Sequence, residues 1–304
     1  MKVIKKIGWF LASMLPMLIF LALQFAAVYG FWFYFYLQVR ADRAGSGYSD
    51  AFLWQLAAIK LLPYNLYITL VSQVAAFIIF FIWYYKVWGK KGRPQGTEKP
   101  GVKAIPVVIA AGIVLQILVS SVMNLIYMFW PGLLQSYMQM MQLAGISEIT
   151  PIVMLTVVIM APITEELLCR GLILKLAEKV SQRFWVANVI QALAFGIMHL
   201  NWVQGIYAFF LGLALGYLYG KYRNIFLCML LHCVINFSSN FVDRIYALFP
   251  DQYGLLALIG LTVFSMAFLV LCYKLLGKVR RPDEDSIYLT WNHAAYSHRD
   301  STDL

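Results

Sequence analysis

Residues 7–39 carry no Asp, Glu, Lys or Arg, and residues 184–220, a second run of 37, carry none either. Soluble domains interleave charge far more often, so runs of this length point to segments that bury themselves in lipid. The rest of the chain repeats the theme: 304 residues are 62% hydrophobic and 12% charged, against about 45–50% and 25% in soluble proteins. A helix that crosses the hydrocarbon needs about 20 predominantly apolar residues. Eight segments qualify, roughly 8–39, 64–85, 104–130, 151–174, 184–200, 204–220, 224–242 and 255–276. The expected fold is all-α, a polytopic membrane helix bundle of about eight transmembrane helices.

The basic residues test that division, because cytoplasmic loops carry the excess of Lys and Arg. With the N-terminus inside, 20 of the 24 fall on the cytoplasmic side, and only Arg40, Arg43, Lys60 and Arg244 fall outside. An odd number of spans breaks this alternation. The expectation is therefore a multi-pass protein of the cell membrane with both termini cytoplasmic and the lipid bilayer as its surroundings. The net charge of +10 belongs to these loops and forms no single basic face, so nucleic acid is excluded as a partner. The first apolar run is much longer than the roughly 7–15 residues of a signal peptide, and an uncleaved first span is expected.

Four parts follow along the chain. Residues 1–130 hold three spans with a basic cytoplasmic loop at 86–103, and 40–62 reads as an interfacial helix on the outer face. Residues 131–150, with Gln135, Gln139 and Gln142 among Met138, Met140 and Met141, form an outer connector. Residues 151–276 are the bundle that bears the polar groups. Residues 277–304 are a polar cytoplasmic tail, in which His293 and His298 read as solvated. Cys169, Cys228, Cys233 and Cys272 lie in or beside apolar spans without a C-x-x-C pair, and read as small buried side chains.

Ionisable groups at membrane depth are costly by about 2.5–3.5 kcal/mol each on insertion scales, and so face a protein interior or a wet cavity. The second half of the chain concentrates them. Glu165 and Glu166 are adjacent within an apolar run; Arg170, His199, His232 and Asn236 follow. Glu166 and Arg170 are four apart and can pair on one helix face, as Phe195 and His199, and His232 and Asn236, share faces. Glu165 points about 100° away from Glu166, which leaves it for chemistry. A desolvated carboxylate can take a proton from water, an imidazole can assist, and a second imidazole with an amide N–H can stabilise an oxyanion, the requirements of peptide hydrolysis. The same carboxylate and imidazoles could instead ligate zinc, although no H-E-x-x-H is present.

In order and type, Glu165-Glu166-x-x-x-Arg170, Phe195-x-x-x-His199 and His232-x-x-x-Asn236 resemble the motifs of the CPBP intramembrane endopeptidases, the CAAX proteases and bacteriocin-processing enzymes also called the Abi family. The resemblance covers about residues 150–242. It implies that Glu165 activates water with help from His199, that His232 and Asn236 form the oxyanion site, and that Glu166, Arg170 and Phe195 support them. It also implies a glutamate-type intramembrane endopeptidase without a cofactor, cutting a membrane-associated or lipidated protein or peptide. A zinc-dependent form, held by Glu165, His199 and His232, is the alternative. A proton-coupled transporter and a non-catalytic scaffold or immunity protein are the readings outside hydrolysis. Depth sets a condition: at 1.5 Å per residue, Glu165 and His232 lie toward the cytoplasmic half, whereas His199 lies about 22 Å beyond residue 184, nearer the outside. A tilted or deeper-starting fifth span is needed to level them.

Overall fold

The computed structural model describes residues 2–89, 104–146, 148–181, 183–242, 245, 248 and 254–277, and among them there is no β-strand. The greater part of the 86–103 loop and all but the first residue of the 277–304 tail lie outside the described residues. Ten helices organise the rest: α1 (Lys2–Asp42), α2 (Asp50–Leu61), α3 (Asn65–Trp88), α4 (Ala104–Phe129), α5 (Pro131–Leu143), α6 (Pro151–Ala177), α7 (Phe184–Ile197), α8 (Trp202–Tyr222), α9 (Ile225–Ser239) and α10 (Gly254–Gly277).

Among the described residues, six helical stretches are long and apolar enough to cross a membrane: α1, α2 continuing into α3, α4, α6, α8 and α10. The fifth and seventh expected spans differ. Helices α7 and α9 have 14 and 15 residues, about 21 and 23 Å of helix, short of a hydrocarbon core of about 30 Å. Composition marked them as apolar; the turns and caps that shorten them are local. Asn224 caps α9 by accepting from the backbone N–H groups of Phe226 and Leu227, and Asn201 caps α8 by accepting from Gln204.

The interfacial helix expected at 40–62 also takes another form. Helix α1 runs on to Asp42, and α2 folds back along it before passing through a 3₁₀ turn (Leu62–Tyr64) into α3. Aromatic packing fixes this return: Trp54 stacks on Tyr36 with centroids 4.0 Å apart, and the Tyr36 hydroxyl donates to Asp50 at 2.9 Å. Offset ring stacking of this kind adds about 0.5–1.5 kcal/mol beyond area burial.

Helix α6 is the hub. It packs against α1, α3, α7 and α9, while α8 lies along α7 and α10 lies along α4. In the most hydrophobic 18-residue window of each helix, 61% of α6 is buried, against 17% of α10 and 22% of α1. The helix that carries the charges is thus the one most enclosed by protein. Its surroundings are apolar: Phe20, Phe80, Leu168, Leu172, Ile173 and Phe195 are all within 2% of complete burial in one cluster. All four cysteines are free, with Cys169, Cys228 and Cys272 buried and Cys233 partly so.

Two glycines let α7 and α8 touch. A Cβ on Gly196 would stand 2.6 Å from the Gly205 carbonyl oxygen, and one on Gly205 would stand 3.0 Å from that of Gly196. Neither backbone atom can swing away as a side-chain tip would. Gly196→Val should therefore cost about 1–3 kcal/mol through overpacking, read as a lower melting temperature, whereas an exchange at open Gly30, where a Cβ meets nothing within 4 Å, should leave it unchanged.

Candidate active site

The two carboxylates sit on a distorted piece of α6. Residues Ala161–Glu166 are α-helical, but π-helical stretches flank them at Met154–Met160 and Leu167–Ile173. Pro162 supplies a cause for the first. It has no N–H to donate, and its ring crowds the carbonyl one turn back; a widened turn relieves that clash, and such turns are frequent at functional sites. The Ala161 N–H reaches back to the Thr156 carbonyl. Val157 would next be served by residue 162, which is proline, and its carbonyl instead accepts from Asn236 Nδ2 at 2.9 Å. One amide proton of Asn236 thus closes a gap that Pro162 opens, and ties α9 to α6.

The adjacent glutamates have different environments. Glu166 Oε1 accepts from Arg170 Nη1 at 2.8 Å, and both side chains are fully buried. Arg170 continues through Nη2 to the Gly212 carbonyl at 2.9 Å and lies over the Phe195 ring at 5.3 Å from its centroid. Glu165 makes no contact of this kind with Arg170. Its Oε2 faces His232 Nε2 at 3.7 Å, and its side chain keeps 12% exposure. Of the two, only Glu165 can meet water.

Partners fix where the ring protons reside. His232 Nδ1 lies 2.9 Å from Glu166 Oε1; a carboxylate paired with a guanidinium only accepts, so Nδ1 donates. His199 Nδ1 lies 2.7 Å from the Phe195 carbonyl oxygen, and there too the ring nitrogen donates. In the neutral rings both Nε2 atoms then present lone pairs. The gap of 3.7 Å from His232 to Glu165 is too long for a direct hydrogen bond, yet one water can bond to both groups.

His199 reaches this level through a turn. Helix α7 ends at Ile197 and the chain reverses through Leu200, whose φ of 53° lies in the left-handed region, an uncommon conformation for a bulky side chain. The Phe195 ring meets both imidazoles edge-on, His199 at 5.0 Å and His232 at 5.7 Å between centroids. One aromatic ring therefore touches both histidines and joins the end of α7 to α9 at the site. Glu165, Glu166, Arg170, Phe195, His199 and His232 form one constellation, with Asn236 one helical turn from His232 and engaged with α6.

Two further polar side chains, both on α7, join the network behind the site. Gln191 Nε2 donates to the same Gly212 carbonyl as Arg170, at 2.9 Å, and Asn188 Nδ2 donates to Leu213 at 3.1 Å. Asn188 and Gln191 are both completely buried. Three apart in an uncharged stretch, they carry the same signal of a shared polar helix face that singled out His232 and Asn236. The donor types of Glu165, His199 and His232, with each Nδ1 already engaged by an outer partner, suit a divalent metal. Their placement does not: among the described residues no three His, Cys, Asp or Glu side chains converge on a point where an ion could be held.

A multi-pass, helical membrane protein whose most buried helix carries two carboxylates that meet imidazoles from its neighbours is the class these features define. Residues 147–238 match the family model described as type II CAAX prenyl endopeptidase Rce1-like. Over that region the chain is similar to the CPBP, or CAAX protease, family of membrane proteases. No curated protein and no solved structure matches the chain.

Proposed function

We propose that this chain is an intramembrane endopeptidase that hydrolyses a peptide bond near the C-terminus of a prenylated protein or peptide held at the bilayer, by glutamate-activated water. The carrying observation is the inequality of the two glutamates: Glu166 is sealed against Arg170, while Glu165 stays reachable and faces His232. Glu165 takes a proton from water, and His199, with its Nε2 lone pair directed away from the Phe195 carbonyl, assists. The tetrahedral oxyanion needs N–H donors. Asn236 retains one amide proton beyond the one given to Val157, and His232 can donate through Nε2 when its ring carries both protons.

The reading places the site toward the cytoplasmic side, with both termini inside, supported by the asymmetry of Lys and Arg. Substrate would be anchored by its lipid chain in the same leaflet. The direct test is the full-length protein in lipid nanodiscs acting on a farnesylated CAAX peptide with fluorophore and quencher on either side of the expected bond. Release of the C-terminal fragment supports the reading, and an intact peptide overturns it.

The reading also assigns no metal to the reaction. Dialysis against a strong chelator should leave the cleavage rate unchanged. A loss restored by added zinc would instead establish the zinc-dependent form, with Glu165, His199 and His232 drawn together as ligands.

A further inference from the structure

His199 stands just beyond the end of α7, on a turn that costs backbone strain. Leu200, the next residue, takes a φ of 53° although its side chain is 61% exposed. Burial therefore does not hold it there. A bulky residue persists in the left-handed region only where its surroundings over-determine the backbone, and here hydrogen bonds supply the restraint. The His199 and Leu200 N–H groups donate back to the Gly196 and Ile197 carbonyls at 3.3 and 3.1 Å, and the Asn201 carbonyl accepts from the Gly205 N–H at 2.7 Å.

One side chain holds that turn from two directions. Asn201 Oδ1 accepts from the Gln204 N–H at 3.0 Å, which starts α8, and its Nδ2 donates to Met140 Sδ on α5 at 3.6 Å. Helix α5 is itself fastened on either side of this contact. The Tyr137 and Tyr207 hydroxyl oxygens lie 3.0 Å apart, and Asn65 Nδ2, at the start of α3, donates to the Leu143 carbonyl at 3.0 Å. The connector thus gives Asn201 a fixed partner to hold. Two positions before it, His199 Nδ1 is tied to the Phe195 carbonyl at 2.7 Å, so the imidazole is set from α7 on one side and by the turn on the other. We propose that Asn201 is a positioning residue for His199: by capping α8 and holding α5 together, it fixes the left-handed turn and with it the direction in which His199 presents Nε2. Its effect on rate rests on the protease reading above.

Full-length variants in nanodiscs test the role on the farnesylated CAAX peptide. Asn201→Ala removes both bonds and should lower kcat about ten- to a hundredfold, the scale of a misplaced general base, with KM within about twofold of the parent. Asn201→Ser keeps a capping oxygen but is too short to reach Met140, and should stand only about two- to fivefold below the parent. Met140→Leu deletes the same bond from the other side; it should match Asn201→Ser, and the two combined should cost nothing more. A kcat in Asn201→Ala within about twofold of the parent, a loss confined to KM, or Asn201→Ser as slow as Asn201→Ala overturns the proposal. Should Asn201→Ala fail to fold, Asn201→Ser and Met140→Leu decide, and parental kcat in either overturns it. Magnetic resonance supplies a readout without substrate. The chain has four histidines; with heavy-nitrogen labels in them, Asn201→Ala should shift the His199 Nδ1 resonance and leave that of His232, whose Nδ1 partner is Glu166, in place. An unmoved His199 signal overturns the positioning role whether or not the peptide is cut. A shifted signal beside a parent protein that leaves the peptide intact overturns the protease reading alone.

Discussion

Glu165→Gln should lower cleavage of the farnesylated peptide by about 10²–10⁴-fold without moving the melting temperature. Glutamine has the same shape and can still be wetted, but it cannot hold the proton taken from water. Stability should survive because Glu165 anchors little: its Oε2 stands 3.7 Å from His232 Nε2, beyond hydrogen-bond length. The measurement is paired, kcat/KM from the quenched peptide and unfolding by heat in the same nanodiscs. Retained cleavage would remove Glu165 from the mechanism, and lost folding would recast it as structural.

Arg170→Met should have the opposite profile and destabilise the protein by about 3–5 kcal/mol, the cost of leaving a buried charge without its partner. Glu166 would lose its 2.8 Å bond in a place with no access to solvent, and the cation over the Phe195 face would be gone. The Gly212 carbonyl would keep a donor in Gln191, so the loss centres on Glu166. Adding Glu166→Gln to Arg170→Met removes the stranded charge and should restore much of the melting temperature, since pairs in one network are not additive. Cleavage should stay below the parent's. His232 Nδ1 would donate to a neutral amide oxygen in place of the carboxylate that accepts from it at 2.9 Å, a weaker restraint on the ring that turns Nε2 toward Glu165. A double variant that recovers both would show that Glu166 does nothing for the histidine.

Spacing and charge in the sequence carried most of this site. Glu166 and Arg170 at i and i+4 do pair, and Glu165 does stand apart from them. Helical periodicity was enough there because the residues are local. It was insufficient for His199, whose height depends on a left-handed Leu200 and on glycines that let α7 and α8 touch, features that act through tertiary approach. Pro162 was visible as a residue, but its effect was not: only with α9 in place does the Val157 carbonyl find Asn236. The bundle itself was readable from apolar length, except where α7 and α9 stop short, since composition records how apolar a segment is and not where its caps fall. Asn188 and Gln191, three apart on α7 in an uncharged stretch, carry the same polar-face signal.

The enclosure of α6 also bears on which parts of such a chain can be recognised at all. A position that faces lipid asks only for an apolar side chain, and Leu, Ile, Val or Phe serve almost equally; a position enclosed by protein asks for a particular volume or a particular donor. Helices α1 and α10, with 22% and 17% of their windows buried, belong mainly to the first kind, and α6 to the second. Along the lipid-facing positions of the outer helices an exchange among apolar side chains should alter the molecule little, whereas the contacts around α6 demand particular residues. The family resemblance at residues 147–238 covers α6, α7 and α8 and nearly all of α9, the stretch in which side-chain identity carries information.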